Sequence, residues 1–552
     1  MQSFSASERI LSLFTTLRPG EGRSALLLGA QSFVIMFSYY LLKVIRDPLI
    51  LAEGNPELKA YTNAMQAVIL MLVVPVFAKI YQHQAANQPQ HLLVQRILLF
   101  FIGNMVLFGL AYNAGWRIAI AYYVWLGIFS VMAVALFWSF AADLYNVKSG
   151  QRLFPVIAAA ASAGAYLGAS FAGMWDPMVG HGGTIYTAAV LLMLPCWLSS
   201  LVAPTVPAGS GSSFAGSAQS GEEKEDEHTS LAEGFLVVLR SRYLILIAVF
   251  VIIMNLINTN GEFILSAFVS QAADASFGLP AQAAERDAFI TRFYSSYFAW
   301  FNLLGFFVQL FLVARIFDKV GLRGAILILP ALMILSYSAM LIFPLLAVVR
   351  VSMIAENSLS YSLQNTTRHA LFLPLSRKEK YVGKQSIDTF FFRFGDLLSA
   401  GAVFIGSSLL GLQLSGFVIA NIGLAAGLFW ISWVIGKQNQ GVVEALIINA
   451  PPILAVPIPD QHIAAGEPYD LTLPAGTFLD PDEGDALKFQ AYGQARGQLP
   501  SWVRFDTMRG HFRLAPPAGS SGALILMVVA TDFDGLEAEA EFTLYYGDMS
   551  EA

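Results

Sequence analysis

Three ionisable side chains stand where an apolar run ought to exclude them. In "YYLLKVIRDPLIL", residues 39–51, Lys43, Arg46 and Asp47 fall at i, i+3 and i+4. On a helix they share one face with Tyr39. Ionisable groups in a membrane helix are costly, and ordinarily they face a cavity and mark the path of a substrate or ion. Two cations against one carboxylate make that path suitable for an anion. Arg offers a bidentate fork to phosphate oxygens and Lys a point charge. The competing reading is that Lys43 and Arg46 snorkel to the membrane surface, which would bring Asp47 along to no benefit.

Polar stripes recur further along the chain. Asn255, Asn258 and Glu262 lie at i, i+3, i+7 in one apolar run; Glu356 and Asn357, with Tyr361 and Gln364, lie in another; Asp388, Arg393 and Asp396 lie in a third, with Lys384 at its start. An anchor has no use for so many inward stripes, whereas a transporter does. Two readings stay open at several places. Arg393 and Asp396, spaced i, i+3, either neutralise each other between helices or face substrate. Glu262 either faces a cavity or is solvated near a helix end.

The elements that must position these groups follow from hydropathy. The chain has 552 residues, of which 56% are hydrophobic and 13% charged, with net charge −6 and mean hydropathy +0.60. A soluble domain is about 25% charged, so this is a polytopic membrane protein. The negative balance gives no footprint for nucleic acid. The lone Cys196 excludes an internal disulfide and a Cys-rich metal centre. A helix needs about 20 apolar residues to cross the ~30 Å hydrocarbon core. Runs of that kind lie near 24–46, 61–82, 92–113, 116–143, 153–175 and 183–203, and again near 242–269, 290–317, 324–343, 345–373, 385–413 and 415–436. The expected fold is an all-α polytopic membrane protein with twelve transmembrane helices in two six-helix halves, followed by a C-terminal all-β sandwich. The domain boundaries expected are a cytoplasmic segment 1–23, the first half 24–203, a flexible linker 204–241, the second half 242–436, a linker 437–450 and the β-domain 451–547.

Internal echoes support a duplication. "VFAKIYQ" parallels "LVARIFDK", and "GAYLGASFAG" (164–173) parallels "GDLLSAGAVFIG" (395–406). Parallel six-helix repeats are the architecture of major-facilitator transporters. Lys and Arg of the short loops, among them Arg96, Lys148, Arg152, Arg315, Lys319 and Arg323, fall mainly on the side of the N-terminus. The positive-inside rule then puts the N-terminus, central linker and C-terminal domain in the cytoplasm of a cell with this protein in its inner membrane. No P-loop, nucleophile elbow or HExxH is present, so no enzyme activity is expected.

These residues resemble a known family, the ATP/ADP translocases of intracellular bacteria and plastids and their free-living bacterial relatives. The stretch 39–51 resembles that family's first helix. "FWSFAADLYNVKSGQRLFPVIAAAASAGAYLG" (137–168) resembles its fourth loop and fifth helix, and "RHALFLPLSRKEKYVGKQSIDTFFFRFGD" (368–396) resembles its most specific segment. The resemblance implies nucleotide exchange by alternating access, with Lys43, Arg46, Asp47, Lys384 and Asp388 as substrate-binding candidates. Two departures matter. Where the family carries a Glu after its fourth helix this chain has a position near Ser149, and where it carries one in the seventh helix this chain has Asn258. A related organic anion is therefore an open alternative, as is a non-transporting receptor or scaffold.

The tail, 451–547, alternates apolar residues between closely spaced turns, as a sandwich does. It resembles dystroglycan-type cadherin-like and immunoglobulin-like modules, which implies a protein partner and makes Trp502 a core residue. Asp480, Asp482, Asp485, Asp532 and Asp534 resemble acidic positions that bind Ca²⁺ between neighbouring modules. Ca²⁺ takes six to eight oxygens, so turn formation is the favoured reading for acids in a single copy. No other cofactor is expected.

Overall fold

The computed structural model describes residues 21–85, 89–145, 147–202, 231–375, 379–447, 451–481, 487–507, 510–532 and 535–547. The chain divides into two compact units, 1–440 and 441–552.

The membrane unit is helical, and its crossings run alternately between two ends of the bundle. The end carrying residue 21 is called the near end below, and the opposite one the far end. The first four crossings are α1 (Glu21–Glu53), α2 (Pro56–Ala85), α3 (Gln90–Asn113) and α4 (Ala119–Leu144). A long helical element then breaks at Gly180, whose φ of 73° and ψ of 168° no helix accommodates. It yields α5 (147–179) and α6 (183–202). The second half holds α7 (Arg242–Phe277) and an element that breaks at Gly321 (φ 64°) into α8 (283–320) and α9 (322–342). It is completed by α10 (346–370), α11 (379–409) and α12 (Leu414–Ile447). Among the described residues, nine continuous helical stretches are long and apolar enough to cross a membrane. Two of them are the pairs broken at Gly180 and Gly321.

Three expectations need correction. The run ending at residue 46 continues as helix to Glu53, so Lys43, Arg46 and Asp47 lie within a crossing. The Gly54–Asn55 turn is short, and Asn55 caps α2 by accepting from Leu58 N at 2.9 Å. The expected flexible linker holds a helix over Leu231–Arg240. Val238 is fully buried, and Phe235 packs on Phe390 and Phe391; residues 203–230 lie outside the described residues. The expected linker 437–450 is a continuation of α12 as far as Ile447.

The repeat seen in sequence has a packing counterpart. A Cβ at Gly164 would collide with the carbonyl of Phe33, and one at Gly168 with that of Phe37. A Cβ at Gly395 would lie 2.8 Å from the Ile252 carbonyl. The glycines thus let α5 press on α1, and α11 press on α7, in corresponding places. Gly168→Leu is expected to destabilise by about 1–3 kcal/mol or more through forced overpacking, read as a loss of monodisperse protein after detergent extraction.

The C-terminal unit is a two-layer sandwich, accompanied by a short antiparallel pair of β1 (Ile453–Leu454) and β4 (Phe478–Leu479). One sheet has the order β2 (Gln461–Ile463), β9 (Glu537–Tyr546), β8 (Gly522–Thr531), β5 (Lys488–Gly493). The other has β3 (Tyr469–Thr472), β7 (His511–Leu514), β6 (Val503–Asp506). Phe512, Leu514, Leu526, Val528, Phe542 and Leu544 fill the space between the sheets. Trp502 is half-buried at the margin, its ring 5.1 Å from that of Tyr546, and is not a central core residue. Asp532 is buried and accepts from Leu536 N at 2.8 Å, closing the β8–β9 hairpin. That is a turn-forming role. Asp480 lies half-buried just after the short strand Phe478–Leu479; Asp482, Asp485 and Asp534 lie outside the described residues.

Candidate anion site between the two halves

The α1 charges meet aromatic walls from both halves. The Lys43 ammonium lies 4.8 Å from the ring centroid of Phe298 and 5.8 Å from that of Phe301, both on α8. It lies 5.3 Å from Tyr40 and 5.8 Å from Tyr39. Ring faces solvate a cation in part, so Lys43 is held without a carboxylate partner among the described residues. Arg46 stacks on Tyr123 of α4 at 4.3 Å.

Asp47 turns away from this space and is fully buried. Its carboxylate takes Lys59 Nζ of α2 at 2.7 Å and Arg46 at 3.2 Å. Lys59 Nζ also reaches the Tyr294 hydroxyl of α8 at 3.4 Å. The apolar run expected near 61–82 leaves Lys59 just outside it, at the edge of a loop. The short Gly54–Asn55 turn and the Pro56 helix start return it to the bundle at once, and that pair of residues was the available signal. The site therefore holds three cations, Lys43, Arg46 and Lys59, against Asp47. Arg46 Nε is buried and meets no acceptor among the described residues. A donor left unmade in such a place suits an incoming oxyanion.

The second half faces this cluster with a mixed wall. Glu262 sits well inside α7, not near its end, and acts electrostatically on Arg46, Tyr123 and Tyr361. It and Asn258 are half-buried. Asn255 faces elsewhere: it donates to Asp396 of α11 at 2.9 Å and to the Phe392 carbonyl at 2.7 Å. Asp396 also accepts from Thr259 at 2.8 Å and from Asn63 of α2 at 3.4 Å, and pairs with Arg393 at 3.6 Å. Asp396 is thus an anchor between helices, while Arg393 keeps a quarter of its side chain exposed. Tyr361 occupies a widened π turn, Ser360–Gln364, a distortion common at functional sites. Its ring is exposed and stacks on Phe301 at 5.7 Å.

Other expected site residues are elsewhere. Glu356 is buried inside the second half beside Tyr337 and Ser336. Asn357 is buried there too, donating to the Tyr297 hydroxyl at 2.8 Å. Lys384 and Asp388 line a separate cavity of about 560 Å³ at the near end of α11, with His369, Lys380 and Phe372. Asp388 pairs with Arg368 at 3.6 Å. At 1.5 Å rise per residue, Lys384 is about 18 Å along the axis from Asp396, so the two groups of candidates form no single cluster.

The profile of the TLC ATP/ADP transporter family matches residues 107–440. The chain belongs to this family. Its match begins after the α1 cluster, so the placement of Lys43, Arg46 and Asp47 rests on the geometry above. The ADP,ATP carrier protein 1 of Chlamydia muridarum is 24% identical over 433 residues, covering 66% of this chain and 78% of the relative. That of Chlamydia pneumoniae is 24% identical over 442 residues, covering 67% and 81%. The fold is similar to that of the nucleoside transporter NupG, with TM-score 0.53, 13% identity, and coverage of 75% of this chain and 99% of that one. It is similar also to the POT family transporter PepTSo, with TM-score 0.52, 12% identity, and coverage of 76% and 98%. These likenesses show the fold of a membrane transporter. Residues 451–547 match the He_PIG family of Ig domains.

Proposed function

We propose that this family member exchanges nucleotides such as ATP and ADP, or closely related phosphorylated anions, by alternating access. The observation that carries this reading is the surplus of cations at the seam of the two halves, with Arg46 Nε unspent. Phosphate oxygens would take Arg46 and Lys43, and the exposed face of Tyr361 would stack a base. The names of the chlamydial carriers support a nucleotide. Asn258, at the position where a second carboxylate is expected, supports the alternative of another organic anion. The near end would face the cytoplasm of a cell whose inner membrane holds the chain, and the β-unit would bind a protein partner.

The test is uptake of labelled ATP and ADP into proteoliposomes containing the full chain, with and without internal nucleotide. Uptake that requires internal nucleotide is expected. Absence of nucleotide movement, with uptake of another organic anion, would transfer the site to that anion.

A further inference from the structure

At the far end of the bundle a histidine joins the halves. His181 follows the Gly180 break, outside the apolar parts of α5 and α6. Its Nδ1 lies 2.9 Å from Asp176, at the end of α5, and its Nε2 lies 3.0 Å from Asp287, at the start of α8. Asp176 and His181 belong to the first half and Asp287 to the second. The imidazole is 4% exposed. A ring with a carboxylate at each nitrogen satisfies both only as the imidazolium, with two N–H donors. Thr184 donates to Asp176 at 2.7 Å and fixes its orientation. Burial alone would push the imidazolium's pKa down; the hydrogen bonds and charges of Asp176 and Asp287 outweigh it and raise it to about 10.

The surrounding groups are accounted for. From α3, the Tyr112 ring lies 5.7 Å from the imidazole. Glu53 of α1 also faces Tyr112, but its carboxylate is taken by the backbone N–H groups of Ile118 and Ala119. Arg286, next to Asp287, is paired with Asp274 of α7 at 2.6 Å and reaches the Leu51 carbonyl at 3.5 Å. Arg286 therefore has its own carboxylate, and His181 remains the cation that bridges Asp176 and Asp287.

We propose that His181 is a proton-dependent latch that holds the far end of the two halves together and must let go of Asp287 when that end opens. On parting, His181 keeps Asp176 and loses Asp287, so its affinity for a proton falls. The closed end is then favoured at low pH. That advantage is fully present below the pKa of the parted state and is lost as pH rises through about 10. The latch acts without substrate, so it stands whether or not the transported anion is a nucleotide.

The experiment measures distances between spin labels at Trp116→Cys and Leu279→Cys, exposed far-end positions in opposite halves. It uses the full chain in proteoliposomes on a Cys196→Ser background, without nucleotide, from pH 6.5 to 9.5. The long-distance population is expected to grow at least about threefold over that range. In His181→Gln it is expected to be present at pH 7 and independent of pH. Asp287→Asn leaves the Asp176–His181 pair intact, so it tests the bridge if the histidine variant does not fold, and it is expected to flatten the curve likewise. The same pH response in the wild type and either variant, or no response in the wild type, would overturn the latch.

Discussion

Lys59→Met is expected to be the most damaging single substitution in the membrane unit. Asp47 has no exposed surface, and Lys59 is its closer cation, at 2.7 Å against 3.2 Å for Arg46. Removing Lys59 breaks the closer buried pair and leaves Asp47 only the longer contact to Arg46, so the expected cost lies toward the lower end of the about 3–5 kcal/mol of a broken buried pair. Whole-domain stability is only about 5–15 kcal/mol. The readout is the thermal midpoint in detergent and the yield of monodisperse protein. The double variant Asp47→Asn with Lys59→Met removes both charges and is expected to recover much of the loss. Were Lys59 merely a surface lysine, as its sequence position suggests, the single change would cost under about 1 kcal/mol, and the double variant would show no recovery.

Arg46→Ala is expected to lower nucleotide uptake at subsaturating substrate by about 10–100-fold, the equivalent of one charge-assisted hydrogen bond at about 1.5–3 kcal/mol. The loss should appear chiefly as raised KM, because the guanidinium is already placed before substrate arrives. Folding should survive, since Asp47 keeps Lys59. Arg46→Lys retains the charge and gives up the fork and the stack on Tyr123, so intermediate uptake is expected. Undiminished uptake by Arg46→Ala would remove Arg46 from the substrate path. Lys384→Ala is the informative comparison, because Lys384 lines the separate near-end cavity.

The architecture was legible because a bilayer imposes a length on each crossing, and the twelve apolar runs have that length. The β-unit was legible from short alternating segments between turns. The site was readable only where a charge interrupts an apolar run, as Lys43 and Arg46 do. Those same charges misled the boundary: they look like the end of a helix that continues to Glu53. Lys59 was hidden by its place close to a turn, and its value depends on Asp47, twelve residues away. His181 was hidden for another reason. A lone histidine between glycines carries no periodic signal, and both its partners, Asp176 and Asp287, are fixed by tertiary packing. Glu356 shows the converse error, since a carboxylate on a polar stripe can face its own half.

One contact between the halves differs in kind from the others. Ser295 of α8 donates to the Ala169 carbonyl of α5 at 2.7 Å, and a side chain at Gly173 would strike Ser295. Here the halves touch almost backbone to backbone, with nothing larger than a hydroxyl between them. Such a place is a bearing: a rocking body moves least there and sweeps furthest at its extremities. Phe298, one turn along α8 from Ser295, carries the wall against Lys43. A guest held at that level would stay almost still while the walls swing around it, and the mechanical load of each cycle would fall on the bonds at the rims.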